Sequence, residues 1–259
     1  MPATATPADH IDAARIAEEA GRLLLAIRTG IDGFELPSVV KDEGDRRSHE
    51  LIAHQLAESH PADAVLSEEG VDDPRRLHAE RVWIVDPLDG TREFGEPPRT
   101  DWAVHVALVI DGIPVAGAVA LPARGLVLST GDPPRVPPAS GTLRVAVSRT
   151  RPPVSAHRLV ATLGGELVPM GSAGAKAMAV VLGEADVYAH SGGQYEWDSA
   201  APVAVAAAAG LFTSRLDGSP LRYNRPDPWL PDLLICRPEL ATRVLATLAE
   251  GPRGLDSGA

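Results

Sequence analysis

Acidic side chains stand where apolar runs begin or end at four places in this sequence. The stretch "RVWIVDPLDGTREF", residues 81–94, halts an apolar run at Asp86 and sets Asp89 three residues on, across Pro87 and Leu88. "AVLSEEG", 64–70, ends a shorter run at Glu68-Glu69. Asp45 opens the amphipathic stretch "DRRSHELIAHQLAESH", and Asp198 in "EWDSAAP" precedes an alanine-rich run. Carboxylates gathered at one rim repel one another. The usual remedy is a hard cation, and Mg²⁺ takes oxygen ligands in octahedral geometry while keeping waters. Pro87 fixes φ in the turn, Leu88 offers a backbone carbonyl, and the two aspartates can face different ions or share one. Two cations about 3.5–4 Å apart serve phosphate-ester hydrolysis, one activating water and the other steadying the leaving oxygen.

Each acid also has a plainer account. Asp45 and Asp198 can be helix N-caps, Glu68-Glu69 a solvated loop, and Asp86 with Asp89 and Gly90 an Asx turn. Capping and ligation are compatible, so no single acid decides the matter.

The surrounding elements must bring these acids together. Residues 9–28 place Ile11, Ala14, Ala17, Leu24 and Ile27 at helical spacing behind Asp9 as N-cap. Residues 45–60 form a second amphipathic helix with Leu51, Ile52 and Leu56 inward, and Pro61 stops it. Strands cover 64–66 and 82–85, and "DWAVHVALVIDG", "PVAGAVALP" and "GLVLST" follow as a meander. "GDPPRVPPAS", 131–140, holds four prolines and marks a boundary. It divides an N-terminal α+β half, 1–135, from a C-terminal α/β half, 141–259. In the latter, the strands "LRVAVS" and "ADVYAH" alternate with helices over "PVSAHRLVATLG", "GSAGAKAMAVVLG" and "DSAAPVAVAAAAG". Element ends in such a core converge at one rim, where ligands bind.

Composition narrows the partners. With 44% apolar and 23% charged residues, the chain of 259 can bury the core of a globular enzyme. A net charge of −11 argues against a nucleic-acid polymer. A small anionic substrate stays open, because a bound cation reverses the local field. Cys236 is the one cysteine, which excludes an intramolecular disulfide and fits a reducing cytoplasm. The start "MPATATPADH" has no basic or apolar region of a signal peptide, and no run of about 18 apolar residues spans a membrane. A cytoplasmic location is the expectation.

"SEEG", "DPLDGT" and "WDSAAP", in this order and at these separations, resemble the inositol-monophosphatase-like superfamily of metal-dependent, lithium-sensitive phosphatases. The resemblance spans residues 9–245. "DPLDGTREF", "GSAGAKAMAVVLGEADVY" and "EWDSAAP" place it closest to the CysQ branch, the 3′-phosphoadenosine 5′-phosphate phosphatases. The resemblance implies a layered α/β/α/β/α sandwich of the sugar-phosphatase type, two or three Mg²⁺ ions and a homodimer. It implies that Glu68, Asp86 and the Leu88 carbonyl hold one ion and that Asp86, Asp89 and Asp198 hold a second. A third, weaker ion would sit near Glu68. Asp45 and Thr91 would polarise the attacking water, with in-line attack and no phosphoenzyme. The substrate implied is adenosine 3′,5′-bisphosphate, in sulfur assimilation. Inositol phosphatases place a glutamate some seven residues before the Trp-Asp aspartate, where it grips a ring hydroxyl; here Ser191 stands there.

A nucleotide bisphosphate has a second phosphate to hold. "GSAGAK" offers amides at a helix N-terminus with Lys176 a turn in, and "VSRTR" offers Ser148, Arg149 and Arg151. The expected substrate contacts are Gly90, Ser148, Arg149, Gly171, Ser172, Ala173 and Lys176. Tyr195 or Trp197 would flank the base, though either can be a core residue and Trp197 suits the core better, and His105, in a strand-like stretch, is packed or at an interface. Lys41 is a phosphate contact or a solvated lysine, and Arg222 or Asn224 would close the site. Rival readings are an inositol-1-phosphate or fructose-1,6-bisphosphate phosphatase, a dehalogenase-type phosphatase and a non-catalytic phosphate sensor. The dehalogenase motif leaves one residue between its aspartates, against two here.

Overall fold

The structure is a computed structural model and describes residues 4–30, 37–139 and 141–250. The ends of the two expected halves and Ser140 of the connection lie outside the described residues. The chain runs α1 (Pro7–Thr29), α2 (Pro37–Ser59), β1 (Ala64–Ser67), β2 (Arg81–Asp89) and the single-turn α3 (Thr91–Phe94). The strands β3 (Ala103–Ile110), β4 (Ile113–Leu121), β5 (Leu126–Ser129) and β6 (Leu143–Ser148) follow. Then come α4 (Val154–Leu163), β7 (Gly165–Met170), α5 (Ala173–Val181), β8 (Val187–Tyr195) and α6 (Ala200–Ala208). The strands β9 (Phe212–Ser214) and β10 (Trp229–Cys236) precede α7 (Ala241–Ala249).

One sheet has the order β1-β2-β3-β4-β5, with β1 parallel to β2 and the rest the expected antiparallel meander. The other has the order β7-β6-β8-β10-β9, parallel where α4 and α5 cross over and antiparallel beyond. Helices α1 and α2 cover the outer face of the first sheet, α5 and α6 lie between the sheets, and α4 and α7 cover the second. This is the five-layer α/β/α/β/α sandwich. Period-two alternation assigns each side chain its layer. Val82 and Ile84 of β2 enter the central core, whereas Trp83 and Val85 enter the outer one beneath α1 and α2.

Several boundaries differ from the sequence expectation. Thr6 caps α1 and Asp9 is the returning half of its capping box, so Asp9 is not the cap. Ile11 is exposed rather than inward. Helix α2 begins eight residues before Asp45, because Gly44 is a contact and not a break. A Cβ there would lie 2.9 Å from the Phe94 ring. Strand β7 has no sequence signature, being a half-exposed edge strand with Pro169 inside.

Asp186 ties the second sheet to the proline-rich connection. Its carboxylate accepts from Arg237 Nε at 2.9 Å and from the Arg144 amide at 2.9 Å, while Arg237 Nη2 donates to the Pro137 carbonyl at 2.8 Å. Arg237 and Asp186 are both buried. Replacing Asp186 with alanine strands the guanidinium in the interior, which costs about 3–5 kcal/mol. Urea unfolding of Asp186→Ala checks this. A loss under about 1 kcal/mol, the range of exposed pairs, would show that the network is solvated.

Candidate active site

The floor of the site is the end of β2. Ser67 of β1 pairs in parallel with Val85, so Glu68 emerges beside Asp86. Asp86 continues the inward alternation of Ile84 and is buried. Its carboxylate accepts the Leu88 N–H at 3.1 Å, the expected Asx geometry. Strand pairing does not stop there, as the apolar run suggested. It resumes at Asp89 opposite Ala103 after a bulge. Gly90 follows at φ +88°, a left-handed conformation that glycine adopts freely, and starts α3 with Thr91.

Helix α2 braces this turn. Ser48 donates to the Pro87 carbonyl at 2.7 Å, and Gly44 packs against Leu88 and Phe94. Asp45 lies one turn before Ser48 and so meets the same turn. It sits within the helix and is not its cap. The Thr91 hydroxyl is within hydrogen-bond reach of two acceptors, the Asp45 carboxylate and the Leu88 carbonyl at 3.2 Å.

Asp89 faces the second half of the chain. It accepts from the Ser172 hydroxyl at 2.5 Å and from the Ala173 and Gly174 amides at 3.0 and 2.6 Å. The α5 amides expected to bind a substrate anion are therefore engaged by Asp89. The Gly171 amide donates to Asp101. Arg149 pairs with Glu93 at 2.6 Å and Glu96 at 2.7 Å, which occupies the guanidinium expected for substrate. Asp198 ends a 3₁₀ turn, Glu196–Asp198, and accepts the Tyr195 amide at 2.6 Å. The cap of α6 is Ser199.

Carboxylate oxygens of Asp86, Asp89 and Asp198 lie within 4.8 Å of one another. This all-oxygen set suits a hard divalent cation. Burial and mutual repulsion push Asp198 to about 6 and raise Asp86 well above the carboxylate range. Glu68 reaches solvent at the rim, but the atoms and acids crowding its carboxyl push it to about 7. Burial, Glu69 and Asp42 push Asp45 to about 7. Asp89 goes the other way. Burial raises it, but His105, Ser172 and the Gly174 amide outweigh that and hold it at about 2.

His105 is the residue the sequence undervalued. It is opposite Asp86 in the β2–β3 pair and wholly buried. Its Nδ1 bonds the Trp197 carbonyl at 3.0 Å. Its Nε2 lies 3.2 Å from Asp89 Oδ2, a charge contact rather than an aligned hydrogen bond. A Cβ on Gly174 would come within 2.1 Å of that nitrogen, so only glycine fits there.

A cleft of about 490 Å³ opens above Asp89 and Asp198. Of the residues expected to contact substrate, Ser148, Ser172, Ala173 and Lys176 line it, and so does Arg151. Gly90, Arg149 and Gly171 do not. Tyr195 stands at the mouth, stacked on Trp197 with centroids 4.7 Å apart. Asn224 is bonded to Arg76 and Glu196 and does not close the site. Trp229 lines the cleft instead. Neither Trp229 nor the buried Tyr188 and Gln194 carried a sequence signal beyond the glycine pair before Gln194.

The raised acids set the pH response. Asp45, Glu68 and Asp198 move from 3.8, 4.5 and 3.8 to about 7, 7 and 6 on folding. The folded chain then holds more protons than the unfolded one in that window. Their contribution is complete below the ordinary carboxylate range and is lost as pH rises through about 6 to 7. Without divalent ions, the melting temperature falls between about pH 5 and about pH 8. A divalent cation held by these acids would raise it more at the upper end, since ligation needs ionised carboxylates. Calorimetry with chelator and with Mg²⁺ checks both, and a flat chelated profile would refute the repulsion.

Comparison with known proteins agrees with this geometry. Residues 40–252 match the inositol monophosphatase family. A 3′-phosphoadenosine 5′-phosphate phosphatase of Mycobacterium bovis is 54% identical over 247 residues, 91% of each chain. A protein of the same name from Mycobacterium leprae is 53% identical over 251 residues, 92% of each. The crystal structure of CysQ from Bacteroides thetaiotaomicron, a bacterial member of the inositol monophosphatase family, superposes with a TM-score of 0.76 at 28% identity. That match covers 89% of this chain and 97% of the other. Two sheets in five layers, an acid cluster at the end of β2 and these matches lead to one conclusion: the chain belongs to the inositol monophosphatase family.

Proposed function

We propose that the chain is a Mg²⁺-dependent phosphatase that hydrolyses the 3′-phosphate of adenosine 3′,5′-bisphosphate to AMP and phosphate. The observation that carries this is the convergence of Asp86, Asp89 and Asp198 at the floor of a cleft with Lys176, Arg151 and Tyr195 on its walls. The relatives named 3′-phosphoadenosine 5′-phosphate phosphatase, 54% identical, support the same substrate. Ser191 bonds Ser155 at 3.1 Å and presents no carboxylate to a ring hydroxyl, which disfavours inositol-1-phosphate.

Glu68, Asp86, the Leu88 carbonyl, Asp89 and Asp198 would hold two ions, with a third near Glu68. When bound, the ions polarise the attacked phosphate and lower the pKa of a water. The chain's own groups do the rest. Asp45 titrates near neutrality, so it accepts a proton at working pH. The Thr91 hydroxyl donates toward Asp45 or the Leu88 carbonyl, and either way its oxygen keeps a lone pair to orient the water. Lys176 and Arg151 supply positive charge for the second phosphate. The rings of Tyr195 and Trp229 offer a face to adenine. The acids, held on a braced turn, need little rearrangement during attack. A cytoplasmic homodimer in sulfur assimilation, sensitive to Li⁺, completes this reading.

The test is kcat/KM with Mg²⁺ on adenosine 3′,5′-bisphosphate, inositol-1-phosphate and fructose-1,6-bisphosphate. The nucleotide is expected to lead, and release of phosphate from none of the three would end the enzyme reading. Asp45→Asn and Thr91→Ala should each lower kcat by about 10²–10⁴-fold with KM little changed. Rates near wild type would remove the pair from catalysis.

A further inference from the structure

Gln194 is 7% exposed, lines the cleft, and neither Nε2 nor Oε1 has a partner among the described residues. A buried carboxamide without partners is costly, and native chains rarely keep one unless something else satisfies it. Its location indicates what that is. Gln194 pairs with Leu230 and Tyr188 pairs with Ile235, and both partners lie in the central core. Cross-strand pairs point to one side of a sheet, so Gln194 and Tyr188 share the face that looks toward α5. Tyr188 also lines the cleft, with its hydroxyl likewise unpartnered among the described residues.

The next residue, Tyr195, donates its backbone N–H to Asp198. Gln194 is thus one peptide unit from the group that anchors an acid of the reacting site. The rings suited to the base stand further out, with Tyr195 43% and Trp229 42% exposed at the mouth. This favours the sugar over the base as the partner of Gln194. A carboxamide offers one acceptor and two donors. A hydroxyl beside a phosphate ester presents the matching set, an O–H to donate and phosphate oxygens to accept.

Resting on the adenosine bisphosphate reading, we propose that Gln194 grips the hydroxyl vicinal to the scissile phosphate. Oε1 accepts from that hydroxyl and Nε2 donates to an oxygen of the adjoining phosphate. Gln194 is then the specificity residue that selects ribose over 2′-deoxyribose.

The experiment compares kcat/KM for adenosine 3′,5′-bisphosphate and its 2′-deoxy counterpart, with Mg²⁺. The wild-type chain should prefer the ribonucleotide by about 10-fold or more, because the deoxy substrate leaves the buried amide unpaired. In Gln194→Met, which keeps length and loses both polar groups, the ratio should fall to about one. The ratio is taken within one protein, so a general loss of activity does not mimic the result. Should the variant be inactive, calorimetric binding of AMP and 2′-deoxy-AMP to both proteins supplies the same ratio. A wild-type ratio near one, or an unchanged ratio in the variant, overturns the inference and leaves the phosphatase reading standing. Activity on neither nucleotide overturns both.

Discussion

Asp89 accepts three donors from the first turn of α5, and the rest of the site depends on that grip. The acid ends β2 of the first sheet, and the donors begin a helix that packs on both sheets. Hydrogen bonds to a charged group are each worth about 1.5–3 kcal/mol, and the positive helix end adds to them. The link fixes the β2 turn against the wall that carries Ser172, Ala173 and Lys176. It also explains why the glycines here are not interchangeable. Gly174 gives His105 room beneath Asp89, and Gly90 lets the chain reverse into α3 while Ser172 lies 3.1 Å from where a side chain would start.

Two aspartates three residues apart thereby acquire opposite characters. Asp86 sits among Glu68, Asp89 and Asp198 and holds its proton far above the carboxylate range. Asp89 has equal burial, but a histidine and helix donors keep it ionised. Environment, not residue type, sets the difference. A cluster so arranged carries one secure anion and several acids ready to ionise when a cation arrives. The uncompensated repulsion is stability set aside for function, as is common where binding sites concentrate like charges.

Most of this was legible in the sequence because each signal was local. The apolar run that ends at Asp86, the Asp-Pro-Leu-Asp-Gly turn and the Gly-Ser turn that opens α5 depend on neighbours within a few residues. What escaped depended on contacts across the fold. The expected start of the second helix at Asp45 missed its first eight residues, where Gly44 meets Phe94, fifty residues away. Arg149 looked free for substrate because nothing nearby in the sequence names Glu93 and Glu96 as its acceptors. The α5 amides looked available for the same reason: Asp89 reaches them from more than eighty residues earlier. His105 lies inside an apolar strand, where only register with Asp86 reveals that it serves the acids.

The scarcity of aromatic residues has a structural use at this point. Helices α5 and α6 are almost entirely buried, and their small side chains keep the central layer thin. A Cβ on Gly117 of β4 would lie 3.3 Å from the Ala204 methyl of α6, so helix and strand are already at contact distance. A thin layer matters because Asp86 and Asp89 come from one sheet and Asp198 follows a strand of the other. Their oxygens meet within 4.8 Å only if the two sheets stand close at that rim. Larger residues in α6 would bury more apolar area and still push the sheets apart, which separates Asp198 from its partners. The alanine-rich helix therefore serves the acid site through the spacing it sets between the sheets.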